Sequence, residues 1–256
     1  MSGDKDLVRG WFTRHASNYA TDPSQRAGPD LVRLLELLET RPADRALDVG
    51  TAAGNTARAL APRVAEVTGL DLTPAMKEQF EATARAEGLA NVRFTTGDVD
   101  ALPFPDASFD LVACRRAVHH FPDPPAAMAE MVRVLRPGGR AGFTDMCAPE
   151  DPAAAALCND LERARDASHG RALGAEEWRR LVEGAGLKVL TFEALPDRVP
   201  WAQWLKPVAT GGPEDAVARE RLAAAAPETR ALVAAEDPDG LVFLKTRVVV
   251  TARKRG

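Results

Sequence analysis

From Arg45 onward the chain alternates short, apolar or β-branched runs with stretches of helical periodicity. Few architectures accept that rhythm besides a parallel sheet wrapped by helices, because each crossover between parallel strands needs a helix to return the chain. Strands covered on both faces read as continuous apolar runs. Five such runs stand at residues 46–50, 64–72, 92–97, 109–114 and 140–144, with helices expected at 53–60, 74–87 and 125–135. In the last of these helices Met128, Met131, Val132 and Leu135 recur at helical spacing, and Pro137-Gly138-Gly139 punctuates its end. Two later strands, 187–195 and 241–252, complete the reading: an α/β fold with a doubly wound, mostly parallel, seven-stranded sheet.

Ahead of this core, residues 1–40 read as an N-terminal helical cap, with Leu31, Leu34, Leu35 and Leu38 forming one apolar stripe. Residues 41–256 read as one domain that includes helices at 151–167 and 175–184. The Ala- and charge-rich stretch 200–236 is too long for a hairpin loop and reads as a helical insert before the last strand.

A chain of 256 residues that is 45% apolar can bury one large core. Its 33 basic and 37 acidic side chains are interspersed and sum to −4, which leaves no cationic surface for a phosphate backbone, so nucleic acid is excluded as a partner. Cys114, Cys147 and Cys158 cannot all pair, and none has metal-ligand spacing, so a reducing compartment and no metal are expected. The charged N-terminus and the absence of any long apolar run point to a cytoplasmic protein without a membrane span. Oligomeric state leaves no signature in the sequence.

Chemistry concentrates at strand ends. In Ala46-Leu-Asp-Val-Gly50-Thr-Ala-Ala-Gly54 a buried strand breaks into a small-residue turn and then a helix, so main-chain N–H groups can face a polar ligand. The glycines are spaced G-x-x-x-G, which does not match the dinucleotide fingerprint G-x-G-x-x-G. Some 20 positions later a strand ends at Asp71, whose carboxylate can accept both hydroxyls of a ribose or, with Thr73, cap the helix that Pro74 opens. A third strand closes at Asp98, placed to accept from an exocyclic amine such as that of adenine.

The ordered set LDVGTAAG, VTGLDLTPAM, GDVDALPFPDASFDLVACRRAVHHF and EMVRVLRPGGRAGFTD, spanning residues 46–145, resembles the class I S-adenosylmethionine-dependent methyltransferases, in particular the small-molecule branch that includes quinone-biosynthesis enzymes. The resemblance implies a Rossmann-like methyltransferase fold with S-adenosylmethionine as cofactor. It also implies that Asp48, Gly50, Ala52 and Gly54 line the methionine side, Asp71 and Leu72 hold the ribose, and Asp98 and Val99 hold the adenine. Met76 and Arg115 complete the expected cofactor-binding set. The stretch 12–19 is similar to the family's short segment that folds over the site. In the family pattern D-x-G-x-G-x-G, Ala52 stands where the middle glycine is expected, and alanine tolerates φ > 0 poorly. A relative that binds the cofactor without transferring its methyl is therefore the second reading.

Methyl transfer from a sulfonium is an in-line displacement that depends mainly on orientation. The resemblance implies transfer to O or C of a small, partly apolar acceptor. Where that acceptor is acidic a base helps, and His120, with His119 second, is the expected one; either histidine can equally pack against Phe121. Arg115 and Arg116, at the exit of the fourth strand, can hold an acidic acceptor or the cofactor carboxylate. Tyr19 from the cap, and Trp201 and Trp204 at i, i+3, are candidate walls of the acceptor pocket, though that spacing also suits a core helix.

Overall fold

The computed structural model describes the backbone of residues 2–21 and 23–256, and the side chains of residues 5–17 and 23–256. The elements follow the order α1 (Ser2–Thr21), α2 (Pro23–Ala27), α3 (Pro29–Leu37), β1 (Arg45–Val49), α4 (Asn55–Leu60), β2 (Glu66–Asp71), α5 (Met76–Ala86), β3 (Val92–Thr96), β4 (Phe109–Arg115), α6 (Pro124–Val134) and β5 (Leu135–Cys147). They continue with α7 (Pro152–Arg165), α8 (Ala175–Gly184), β6 (Leu187–Pro200), α9 (Trp201–Leu205), α10 (Pro213–Ala224), α11 (Pro227–Ala231), β7 (Ala234–Asp237) and β8 (Gly240–Lys254).

Seven strands form a sheet in the order β3-β2-β1-β4-β5-β8-β6, and the short β7 adds an eighth by pairing with β8. The first five are parallel, while β8 runs antiparallel to β5 and β6. The strand order reverses between β1 and β4, and the crevice outside the carboxyl ends of the strands at such a switch point is where open α/β sheets bind ligands.

The apolar runs of the sequence become this sheet because both of its faces are covered. Alternate residues of β1 point to opposite cores. Leu47 and Val49 join Val112, Met128, Met131, Phe143 and Trp178 on one side; Ala46 joins Leu34, Leu38, Leu60, Phe80 and Val249 on the other. Gly142 of β5 makes room for α3: a Cβ there would lie 2.7 Å from Leu34 Cδ1. Helix starts use short polar side chains. Asp123 accepts from Ala126 N (3.0 Å) with Pro124 in the first turn of α6, and Asp151 accepts from Ala154 N (2.8 Å) ahead of Pro152 in α7.

The stretch between β6 and β8 builds a third core, in which Trp201, Trp204 and Leu205 of α9 and Ala218 and Leu222 of α10 pack on Met146, Leu157, Leu161 and Phe243. Among the described residues no helix is long and apolar enough to cross a membrane, and no group of three His, Cys, Asp or Glu side chains is arranged to hold a metal ion.

Candidate functional site

The turn after β1 is built on three left-handed residues at alternate positions: Gly50 (φ +68), Ala52 (φ +46) and Gly54 (φ +85). Such alternation turns successive N–H groups toward one side and makes a concave cradle for negative charge. Two carboxylates hold the turn from below. Asp48 accepts from the Thr51 hydroxyl (2.6 Å) and from Ala57 N (3.0 Å), and burial pushes its pKa up to about 7. Asp71, at the tip of β2, accepts from Ala52 N (2.8 Å) and Thr73 N (2.9 Å); burial raises its pKa too, against the pull of those two bonds. Asp71 does not cap α5, which begins at Met76 with Ala75 before it and no side-chain bond at that end; its two bonds stay within the turn and leave a lone pair on each oxygen.

These groups border a cleft with about 940 Å³ of empty space, part of it open to solvent. Its walls include Gly50, Thr51, Ala52, Asp71, Leu72, Asp98 and Val99 from the first three strand ends. Opposite stand Arg115, Arg116, Ala117, His120, Phe121 and Pro122. Helix α1 closes the top with Lys5, Val8 and Phe12. Lys5 reaches Asp98 (2.6 Å) and Asp100 (2.5 Å), so the helix is tied to the rim through the third acidic strand tip, and this pairing holds the Asp98 carboxyl below its usual range against the effect of burial.

His120 sits against the edge of Phe12, ring centres 5.1 Å apart, and its Nδ1 lies 2.9 Å from the Ser168 carbonyl. Since a carbonyl only accepts, Nδ1 carries the proton and Nε2 the lone pair. Burial, reinforced by neighbouring His119, lowers the His120 pKa to about 4, so the ring is neutral at pH 7. His119 turns away, its Nδ1 2.5 Å from buried Asp145, and it is absent from the cleft wall.

Other residues singled out in the sequence lie elsewhere. Gly54 packs against Phe80, where a Cβ would approach to 2.6 Å, and Met76 is wholly buried at the start of α5. Asp48 lies beneath the turn. Arg115 lines the cleft, yet its guanidinium is engaged by Asp30 and by the carbonyls of Gln25 and Ser24. Trp201 and Trp204 belong to the third core, their indole N–H groups donating to Asp215 (2.8 Å) and Glu162 (2.9 Å), and neither lines the cleft. The side chain of Tyr19 is outside the described residues. Lys5, Asp30, Asp145 and Ser168 went unnoticed in the sequence. Only Asp30 left a trace there, as an acidic residue immediately before the cap's apolar stripe.

A small-residue turn, acidic groups at two strand tips and apolar walls between them suit a molecule that joins a nucleoside to a charged amino-acid tail. Residues 47–143 match the family of methyltransferase domains. An uncharacterized methyltransferase of Bacillus subtilis (strain 168), YcgJ, is 37% identical over 195 residues, which is 76% of this chain and 77% of that protein. The chain belongs to the class I S-adenosylmethionine-dependent methyltransferases. The crystal structure of YcgJ matches this methyltransferase with a TM-score of 0.79 at 34% identity, covering 89% of this chain and 98% of that one. The methyltransferase is also 34% identical over 160 residues to the 27-O-demethylrifamycin SV methyltransferase of Amycolatopsis mediterranei (strain S699), covering 61% of this chain and 58% of that enzyme. Membership in this family favours methyl transfer over the binding-only alternative.

Proposed function

We propose that the enzyme methylates O or C of a small, partly apolar acceptor. The observation that carries the reading is a neutral imidazole, His120, in the cleft wall with the apolar Phe121 and Ala117 and packed against the edge of Phe12. In this reading the turn 50–52 receives the methionine part of S-adenosylmethionine, Asp71 and Leu72 the ribose, and Asp98 and Val99 the adenine. The cofactor supplies an electrophilic methyl on a sulfonium. The protein aligns the acceptor and excludes water, effects that together contribute roughly 7–11 kcal/mol in well-oriented systems.

His120 takes the acceptor's proton at Nε2. The resulting imidazolium donates from Nδ1 to the Ser168 carbonyl, while the charge of Asp166 nearby favours it. The depressed pKa makes His120 a weak base, which serves only an acceptor whose own proton is already acidic, such as a phenol, an enol or a stabilised carbon acid. The rifamycin relative is named for an oxygen position of its substrate, which supports O-transfer as the first chemistry to assay.

Calorimetry with S-adenosylmethionine is the first test, and Asp71→Ala should weaken binding at least about tenfold, as the loss of a charged hydrogen-bond partner does. The second uses methyl-labelled cofactor with a panel of phenols, quinols and enols. Turnover of a hit should fall at least about tenfold in His120→Ala while cofactor affinity stays unchanged. Full activity of that variant would return His120 to a packing role.

A further inference from the structure

Three guanidinium groups, Arg115 and Arg116 from the end of β4 and Arg247 from the middle of β8, gather near one carboxylate. Asp30, at the start of α3, accepts from Arg115 Nε and Nη2 (2.8 and 3.0 Å), from Arg116 Nε and Nη2 (3.0 and 2.6 Å) and from the Thr144 hydroxyl (3.0 Å). Five donors fill a group that offers about four lone-pair sites, so Asp30 is saturated. Arg115 is finished as well, its Nη1 on the Gln25 carbonyl (2.9 Å) and its Nη2 also on Ser24 (3.3 Å).

Arg247 is the guanidinium left over. It stands opposite Met146 of β5 and Leu195 of β6 in the sheet register. It shares a face with Val249, whose partner on β5 is Thr144, the residue that donates to Asp30. The side chain is half-buried, and among the described residues no oxygen accepts from it. The charges that bear on it are Arg116, then Asp30, Arg115 and Asp145. Asp145 is already committed to His119 Nδ1 and to the main-chain N–H groups of His119 (3.1 Å) and Met146 (2.7 Å). Further along β8, Lys245 has Glu162 at 3.3 Å, so no spare anion comes from that side.

Burial and Arg116 push the Arg247 pKa down to about 10, still far enough above neutrality that the group stays cationic. Three positive charges thus face one saturated carboxylate. A half-buried cation without a partner is unfavourable unless something else supplies the anion. Arg116 points to where that anion enters. It lines the cleft, no described residue accepts from its Nη1, and its backbone is held in the left-handed region at φ +54, a strained state of the kind found at ligand clamps.

We propose that the open edge of Arg116 in the cleft wall, with the charge of Arg247 bearing on it, receives a carboxylate carried by the methyl acceptor, so that the enzyme's substrates are small, partly apolar acids. With Nε and Nη2 of Arg116 held by Asp30, its Nη1 can donate a charge-assisted bond to one carboxylate oxygen. This assignment rests on the cleft being the acceptor site. The same anion could come from the methionine tail of the cofactor, and the arms of the experiment separate the two sources.

The parent, Arg247→Met and Arg247→Lys are titrated with S-adenosylhomocysteine. Each, saturated with it, is then titrated with hydroxylated aryl acids and with their primary amides. The parent is expected to bind at least one acid at least tenfold more tightly than its amide. Arg247→Met should lose that preference and Arg247→Lys keep part of it, with S-adenosylhomocysteine affinity unchanged in both. Arg247→Met should also melt no lower than the parent, because the group it removes makes no bond to the described residues. The proposal is overturned if every acid binds like its amide, if the preference survives in Arg247→Met, or if that variant melts lower than the parent. Loss of S-adenosylhomocysteine affinity in Arg247→Met would assign the anion to the cofactor and overturn it as well. Methyl transfer to neutral acceptors with no preference for acids would leave the methyl-transfer reading standing while this one fails.

Discussion

At position 52 the backbone calls for glycine and the sequence supplies alanine. Its φ of +46 is left-handed like those of Gly50 (+68) and Gly54 (+85), and the Ala52 N–H bond to Asp71 holds it there at 2.8 Å. A left-handed alanine costs roughly 1–2 kcal/mol, whereas a glycine there would cost about 0.4–1 kcal/mol more in unfolded-state entropy. The first effect is the larger. Ala52→Gly is therefore expected to raise the urea-unfolding free energy by up to about 1 kcal/mol, the difference between those terms, with cofactor affinity little changed. A lower stability would mean that the Ala52 methyl makes contacts worth more than the strain it brings. The family pattern places small residues at 50, 52 and 54, and the dihedral angles give the reason: each of the three has positive φ.

At the scale of the element, α1 is where sequence and structure part most. Its helicity was legible, since residues 1–40 contain helix-forming stretches ahead of a punctuated βαβ pattern, but its docking was not. Lys5 meets Asp98 across 93 positions and Arg115 meets Asp30 across 85, and no local spacing encodes such pairs. The strand tips bearing Asp71 and Asp98 were legible for the opposite reason: an acidic residue ending an apolar run is a local signal. Trp201 and Trp204 show where the local signal was ambiguous, because an i, i+3 aromatic pair fits a pocket wall or a core equally; buried Asp215 and Glu162, which take their N–H groups, are invisible at that range. Strand β6 runs on to Pro200, beyond the expected end at 195, because β8 pairs with it along its whole length.

The Lys5 bridges are partly exposed and so contribute at most about 1 kcal/mol. Their effect should be local. Lys5→Met is expected to leave the global unfolding free energy within about 1 kcal/mol of the parent while amide exchange in α1 speeds up severalfold. Unchanged exchange would assign the docking of α1 to its apolar contacts, chiefly buried Trp11.

For the molecule as a whole, the floor of the cleft is joined to the third core through a band of buried polar groups. His119 holds Asp145, and its own carbonyl accepts from Gly170 N (2.9 Å) and Arg171 N (3.1 Å). The loop so fixed carries Ser168, the partner of His120, and His169, whose Nε2 lies 2.9 Å from Asn159 Oδ1 on α7. Burial first, and the neighbouring His119 next, lower the His169 pKa from 6.5 to about 3. The unfolded chain binds a proton at this residue near pH 6.5, and the folded chain refuses it until about pH 3. The stabilisation from His169 is thus complete above pH 6.5 and is lost progressively on acidification.

His120 acts in the same direction. Asp48 opposes both: its raised pKa keeps a proton on the folded chain that the unfolded chain has released, so its contribution declines as pH rises from about 4 to 7. Because these effects partly cancel, the net pH profile of the parent is a poor test and a difference between variants is a good one. His169→Gln keeps an N–H donor for Asn159 and removes the titration. At about 1.36 kcal/mol per pKa unit, its loss of unfolding free energy between pH 7 and roughly pH 4.5 should be about 2.5 kcal/mol smaller than that of the parent. Parallel curves would mean that the folded protein protonates His169 as readily as the unfolded one, and that the link between the His120 loop and α7 tolerates a buried charge.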